Sequence, residues 1–128
     1  KQLMARWFID LDWLKRNDRS FFILTQNCLC PVCRERFKAN EGEVPDTELL
    51  ATIRDCCSKS PDFITQKLPV LESVFRLFLA NGNRPLDLDE LQRQLSERWS
   101  DSTYYISAET LSRLLEHDQY YGLNQAQS

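Results

Sequence analysis

Five cysteines fall in two tight groups, Cys28-Leu-Cys30-Pro-Val-Cys33 and Cys56-Cys57, and no other feature of the chain constrains its fold as strongly. A Cys-Pro-Val-Cys turn aims two thiolates at one point, about as far apart as two corners of a Zn²⁺ coordination tetrahedron. Cys56 and Cys57, about 23 residues after Cys33, can supply the other corners. The pattern predicts a closed structural zinc site. Two ligand sets satisfy it: Cys30, Cys33, Cys56 and Cys57, or Cys28, Cys30 and Cys33 with one of Cys56 and Cys57. The first has the usual two-plus-two form and is preferred. Adjacent helical residues point about 100° apart, so Cys56 and Cys57 can share one ion only where a helix ends. Ser58–Pro61 permits such an end, and Cys28 is then left as a small buried hydrophobe.

A chain of 128 residues can bury one modest core or two small ones sharing an interface. With 42% hydrophobic and 27% charged residues and only three glycines, it reads as globular rather than disordered. No apolar run approaches the roughly 18 residues needed to cross a bilayer, and the start of the chain lacks the regions of a signal peptide. A cytoplasmic location is expected, where thiols stay reduced; an odd cysteine count also suits a metal site better than a disulfide framework. The only methionine is Met4, and Lys1-Gln2-Leu3 ahead of it are read as an expression remnant.

The net charge of −3 is unevenly spread. Residues 15–38 carry Lys15, Arg16, Arg19, Arg34, Arg36 and Lys38 against Asp18 and Glu35, whereas residues 61–128 carry six bases against ten acids. A polyanion would meet the cysteine-rich half first.

Two modules are expected, a zinc-stapled helical one over residues 1–60 and a helical one over 61–128. In the first, residues 6–11 suit a short strand or extended arm. Asp12 is placed to cap a helix whose apolar positions Trp13, Leu14, Phe21, Phe22 and Leu24 recur at helical spacing, with a break near Asn17-Asp18. The metal knuckle covers 28–37, and 39–43 with Gly42 forms a loop. Asp46 reads as the N-cap of the next helix, which carries Leu49, Leu50 and Ile53 on the face that delivers Cys56 and Cys57. Ser60-Pro61 reads as the start of a short helix running to about Lys67.

The second module is cleaner. Pro69 begins a helix with Leu71, Val74, Phe75, Phe78 and Leu79 on one side, ended by Asn81-Gly82. Asp87 with Glu90 forms a capping box ahead of a helix buried through Leu88, Leu91, Leu95 and Trp99. After 100–105, Ser107 caps a third helix with Leu111, Leu114 and Leu115 inside. Tyr120-Tyr121-Gly122-Leu123 suits a short strand or turn, and the polar tail Asn124–Ser128 is expected to fray.

Three helices in this order, with an extended segment before the second and an aromatic strand after the third, resemble a winged-helix domain over about residues 68–124. The phrases Arg84-Pro-Leu-Asp-Leu-Asp-Glu-Leu and Ile106-Ser-Ala-Glu-Thr-Leu-Ser-Arg-Leu-Leu carry the likeness, which is to compact helix-turn-helix modules of transcription and chromatin proteins. The resemblance implies that the third helix would be the recognition helix, presenting Glu109, Thr110, Ser112, Arg113, Glu116 and His117. DNA readers commonly carry several bases there, because phosphate neutralisation supplies much of the affinity. Here one arginine faces Glu109, Glu116 and Asp118, and little chain follows Tyr121 to build a two-stranded wing. Both departures favour protein contact.

No enzyme signature stands out. There is no Gly-rich phosphate loop and no HExxH motif. His117, the only histidine, suits a helix end, and Asp10 and Asp12 resemble a carboxylate pair of which Asp12 is already explained as a cap. The aromatics Trp7, Phe8, Trp13, Phe21 and Phe22 suit a core, with some left over for self-association. The sequence therefore predicts a mainly α, non-enzymatic, zinc-containing adaptor or regulatory protein acting through a protein partner. The alternative is a DNA-binding regulator using Arg16, Arg19, Arg34, Arg36, Lys38 and Arg113.

Overall fold

The computed structural model describes residues 5–40, 43–99 and 105–126. The loop around Gly42, the stretch 100–104, the residues up to Met4 and the last two residues lie outside the described set. Among the described residues the chain is mainly helical. In order come strand β1 (Arg6–Ile9), helices α1 (Leu11–Arg16), α2 (Phe21–Thr25), α3 (Pro31–Phe37), α4 (Asp46–Asp55) and α5 (Val70–Ala80), strand β2 (Leu86–Asp87), helices α6 (Leu88–Arg98) and α7 (Ala108–Glu116), and strand β3 (Leu123–Gln125).

Helix α5 is the hub. Its sequence is apolar on more than one face, and Ser73 to Leu79 are buried without interruption. A helix hydrophobic all round must be covered all round; α4 and α6 pack on it, and β1 crosses it. Phe75 meets Phe21 edge-on at 6.4 Å and Tyr121 at 5.0 Å between ring centroids, so one ring ties the start, middle and end of the chain together. One continuous core runs from Trp7 to Leu123 across residue 60.

The sheet makes the same join. β1 lies between two strands from the far end of the chain, pairing antiparallel with β2 (Trp7 opposite Leu86) and with β3 (Ile9 opposite Leu123). Beyond the two paired residues of β2, the side-chain amide of Asn83 takes the place of a further backbone unit. Its Oδ1 accepts from Ile9 N at 2.8 Å and its Nδ2 donates to Ile9 O at 2.9 Å. Asn83 reaches this position with φ +65°, a region asparagine tolerates better than most residues. Asn83→Ala strips both bonds from a residue that is buried, and is expected to cost about 2–4 kcal/mol in urea unfolding. Asn83→Gly, which retains the backbone freedom, should recover only the smaller, conformational part. Losses under about 0.5 kcal/mol for both would mean that the amide bridge contributes nothing.

Several local expectations hold: Asp87 and Glu90 form the capping box of α6, and Ser107 caps α7. Others are corrected. Asp10, not Asp12, caps α1, accepting from Trp13 N at 3.0 Å, because β1 ends at Ile9 and the helix starts one residue later. Pro45, extended at φ −61° and ψ 146°, occupies the cap of α4, and Asp46 is its first residue. No helix follows Ser60-Pro61. The chain there makes turns, with Phe63 N bonded to Ser60 O and Leu68 N to Thr65 O. The Phe63 carbonyl, which a helix would use internally, instead accepts from Arg76 of α5 at 2.9 Å. The tail is paired rather than frayed as far as Ala126, whose N–H donates to Arg6 O at 2.7 Å. Of the N-terminal aromatics expected to be partly free for self-association, Trp7, Phe21 and Phe22 are buried in the chain's own core, and Phe8 and Trp13 are half-buried. No described helix is long and apolar enough to cross a membrane.

Candidate metal centre

The first pair of thiols is positioned by a helix start. Cys30 is the N-cap of α3, extended at φ −70° and ψ 162°, and Pro31 occupies the first turn, where its missing N–H is not needed. Cys33 then lies in the first turn of the helix, and its nearby backbone N–H lowers the Cys30 thiol to about 7.

The second pair is positioned by a helix end. α4 stops at Asp55, and Cys56 leaves helical geometry at φ −126° and ψ −69°. Cys57 opens a short 3₁₀ turn, Cys57–Lys59. This break overcomes the divergence of neighbouring side chains on a helix, and both sulfurs turn to the same point. Cys30 N also donates to Cys57 Sγ at 3.2 Å, so a backbone amide of one arm of the centre holds a thiol of the other.

Cys30, Cys33, Cys56 and Cys57 offer four sulfurs that all lie within 4.8 Å of one another. Cys56 Sγ is 3.9 Å from Cys30 Sγ and 3.7 Å from Cys33 Sγ. A metal–sulfur bond of about 2.3 Å in a regular tetrahedron requires sulfurs about 3.8 Å apart, whereas a disulfide requires about 2.05 Å. All five cysteines are free. The spacing is therefore that of ligands around a common ion, and this donor set fits a thiophilic metal. Cys33 and Cys57 are buried, Cys30 is half-buried and Cys56 is exposed. Burial pushes the Cys33 and Cys57 thiols up, since a thiolate loses its hydration there, and the neighbouring sulfurs add to the shift. Metal uptake must then release protons, and affinity falls as pH falls.

Cys28, the alternative ligand, is not in this group. It is buried as a neutral thiol, raised to about 11 by desolvation, with Arg76 partly opposing the shift. Arg76 is a residue that sequence reasoning missed. Only 8% exposed, it donates to Phe63 O at 2.9 Å, Asn27 O at 3.2 Å and Glu72 Oε2 at 2.9 Å. It thus fastens the segments before and after the cysteines to α5. The one signal available in the sequence was the i,i+4 spacing of Glu72 and Arg76.

The basic residues are dispersed over several surfaces. Arg34 donates to Gln26 O and Leu29 O at 3.4 and 3.3 Å and, with Lys38, lines a groove beside α2. Arg36 pairs with Glu48 at 3.6 Å, and Arg19 lies 4.9 Å over the Tyr120 ring. Arg16 is exposed in the last turn of α1. Arg113 stands apart on α7, in a groove with Glu109, Glu116 and His117. His117 caps that helix, its Nδ1 donating to Arg113 O at 2.8 Å. Asp10 is occupied as a cap and by Asn124 Nδ2 at 3.2 Å.

Comparison of the chain with protein-family models, with curated proteins and with solved structures finds no match in any of the three.

Proposed function

We propose that this chain is a non-enzymatic, zinc-containing adaptor or regulatory protein that works through contact with another protein. The four-sulfur cluster carries the reading. Four protein sulfurs complete a tetrahedron, which leaves no position for a water or substrate, the arrangement of structural rather than catalytic zinc. An all-sulfur set also favours zinc or iron over magnesium or calcium. Elemental analysis of protein purified without added metal should give about one zinc per chain. Absence of both zinc and iron, or a Cys30–Cys33 disulfide in the folded protein, would refute the site.

A winged-helix-like reading of residues 68–124 draws support from the order of the elements. α5, α6 and α7 follow one another, β2 precedes α6, β3 follows α7, and β1 provides β3 with an antiparallel partner. DNA reading through this module is the second possibility. The exposed side of α7 opposes it, with Glu109 and Glu116 flanking Arg113. A surface of that sign gains little from counterion release. Duplex DNA should bind the intact chain only weakly at physiological salt. Titration at several salt concentrations tests this, and tight, sequence-selective binding abolished by Arg113→Ala would replace the adaptor reading with a DNA-binding one.

A further inference from the structure

Helix α2 divides two neighbouring hollows on the cysteine-rich side of the molecule. One, of about 370 Å³, is lined by Phe22 and Leu29 with Gln26 and Asn27, and carries Arg34 and Lys38 against Glu35. The other, of about 200 Å³, is lined by Ile23, Leu24, Ser20 and Tyr120, with Arg19 beside Asp18. In the second, Ile23 is 65% exposed, and Tyr120 is 49% exposed under the Arg19 guanidinium. An isoleucine in the middle of a helix, bare to water beside Leu24 and Tyr120, is the kind of anchor point that partner surfaces cover. The segment 15–38 is also the basic part of an acidic chain, at +4 against a total of −3.

We propose that this strip, centred on Ile23 and bordered by Arg19, Arg34 and Lys38, docks a short acidic segment of another protein that inserts at least one large apolar side chain. The proposal rests on the protein-contact reading above and names the surface and the partner's chemistry. Its warrant is complementarity of two kinds. The exposed Ile23 and Tyr120, with Leu24 beside them, take an apolar group, which a phosphodiester backbone does not offer. Arg19, Arg34 and Lys38 outnumber Asp18 and Glu35 around the hollows, and with Lys15 and Arg16 nearby in the chain the excess positive charge favours carboxylates flanking an anchor and steers the encounter. Arg34 is already held by two carbonyls, so its charge is pre-oriented and little side-chain entropy is lost on docking. Nucleic acid would instead need a row of cations tracking phosphates.

The test is selection from a random peptide phage library on immobilised, metal-loaded full-length protein. Synthetic versions of the enriched peptides are then titrated by fluorescence anisotropy. The expected peptides carry an aromatic or large aliphatic residue flanked by Asp or Glu. Ile23→Ser and Lys38→Glu, both exposed positions, should each weaken binding by about tenfold or more, and Arg93→Glu on α6, the same charge change elsewhere, by less than about twofold. Circular dichroism of the variants keeps a folding defect from being read as lost binding. Enriched acidic peptides that ignore both substitutions would overturn this surface while leaving the adaptor reading intact. Enrichment of basic peptides, or of none, overturns the proposal. Self-association of the protein alone that Lys38→Glu abolishes would assign the strip to a second copy of the chain. Salt-dependent DNA binding that Lys38→Glu abolishes would defeat both the proposal and the adaptor reading.

Discussion

Cys33→Ser is expected to release the metal and unfold the cysteine-bearing segment, with loss of near-ultraviolet circular dichroism and of bound zinc. Its sulfur is buried and lies 3.7 Å from Cys56 Sγ, so a shorter, harder hydroxyl neither reaches nor suits the ion. Structural zinc in small sites contributes on the order of 10 kcal/mol, comparable with the entire stability of a domain this size, about 5–15 kcal/mol. Leu29, Phe37, Leu49 and Ile53 are buried around the same turns and would lose their packing with it. Cys28→Ser is the matched control. It places a hydroxyl in an apolar site and should cost only about 1–2 kcal/mol with metal content unchanged. A severe Cys28→Ser phenotype beside a mild Cys56→Ser would return Cys28 to the ligand set. Chelation of the wild-type protein should reproduce the Cys33→Ser state, and reloading should reverse it.

Arg76→Ala is expected to destabilise the protein by about 3–5 kcal/mol, because it leaves the partners of a buried charge uncompensated. Those partners are the carbonyls of Phe63 and Asn27 and the half-buried carboxylate of Glu72. In a chain of this length the loss corresponds to a fall in Tm of roughly 10–20 °C. The double replacement Glu72→Gln with Arg76→Met removes charge from both partners and fills the space with an apolar stem. It should recover part of the loss, since an ion pair is often replaceable by packing whereas half of one is not. A second effect follows from geometry. Asn27 precedes the first thiol group and Phe63 follows the second, so Arg76→Ala should also speed extraction of the metal by a chelator. A variant within about 1 kcal/mol of wild type, with unchanged extraction, would reduce Arg76 to an ordinary packing residue.

How much could be read from the chain differs from residue to residue. The metal cluster was legible because its information is local: Cys30 and Cys33 are joined by one helix start, and Cys56 and Cys57 by one helix end. The capping box of α6 and the Ser107 cap were legible for the same reason, since an N-cap and its partner lie three residues apart. The cap assigned to Asp12 failed at the same short range, because Asp10 two residues earlier is an equally good cap and the end of β1 at Ile9 places the helix start there. The helix expected after Ser60 failed at longer range. Serine followed by proline is a sound helix start, but Arg76, 13 residues beyond Phe63, takes the carbonyl such a helix would need.

The sequence by itself determined the elements whose causes sit within a few residues: most of the helices, the caps of α6 and α7, the thiol knuckle and the uneven charge. Only the tertiary structure decided where the first strand goes. β1 offers two edges, and nothing in Arg6–Ile9 says that Leu86 and Leu123 will occupy them, or that Asn83, 74 residues away, will close the ladder. The same holds for Arg76. An arginine in a helix reads as surface, and it is buried here because α5 is covered on every face and three acceptors from separate segments converge on it. Periodicity reports which side of an element is apolar, whereas partners far along the chain are chosen by which arrangement satisfies all buried polar groups at once.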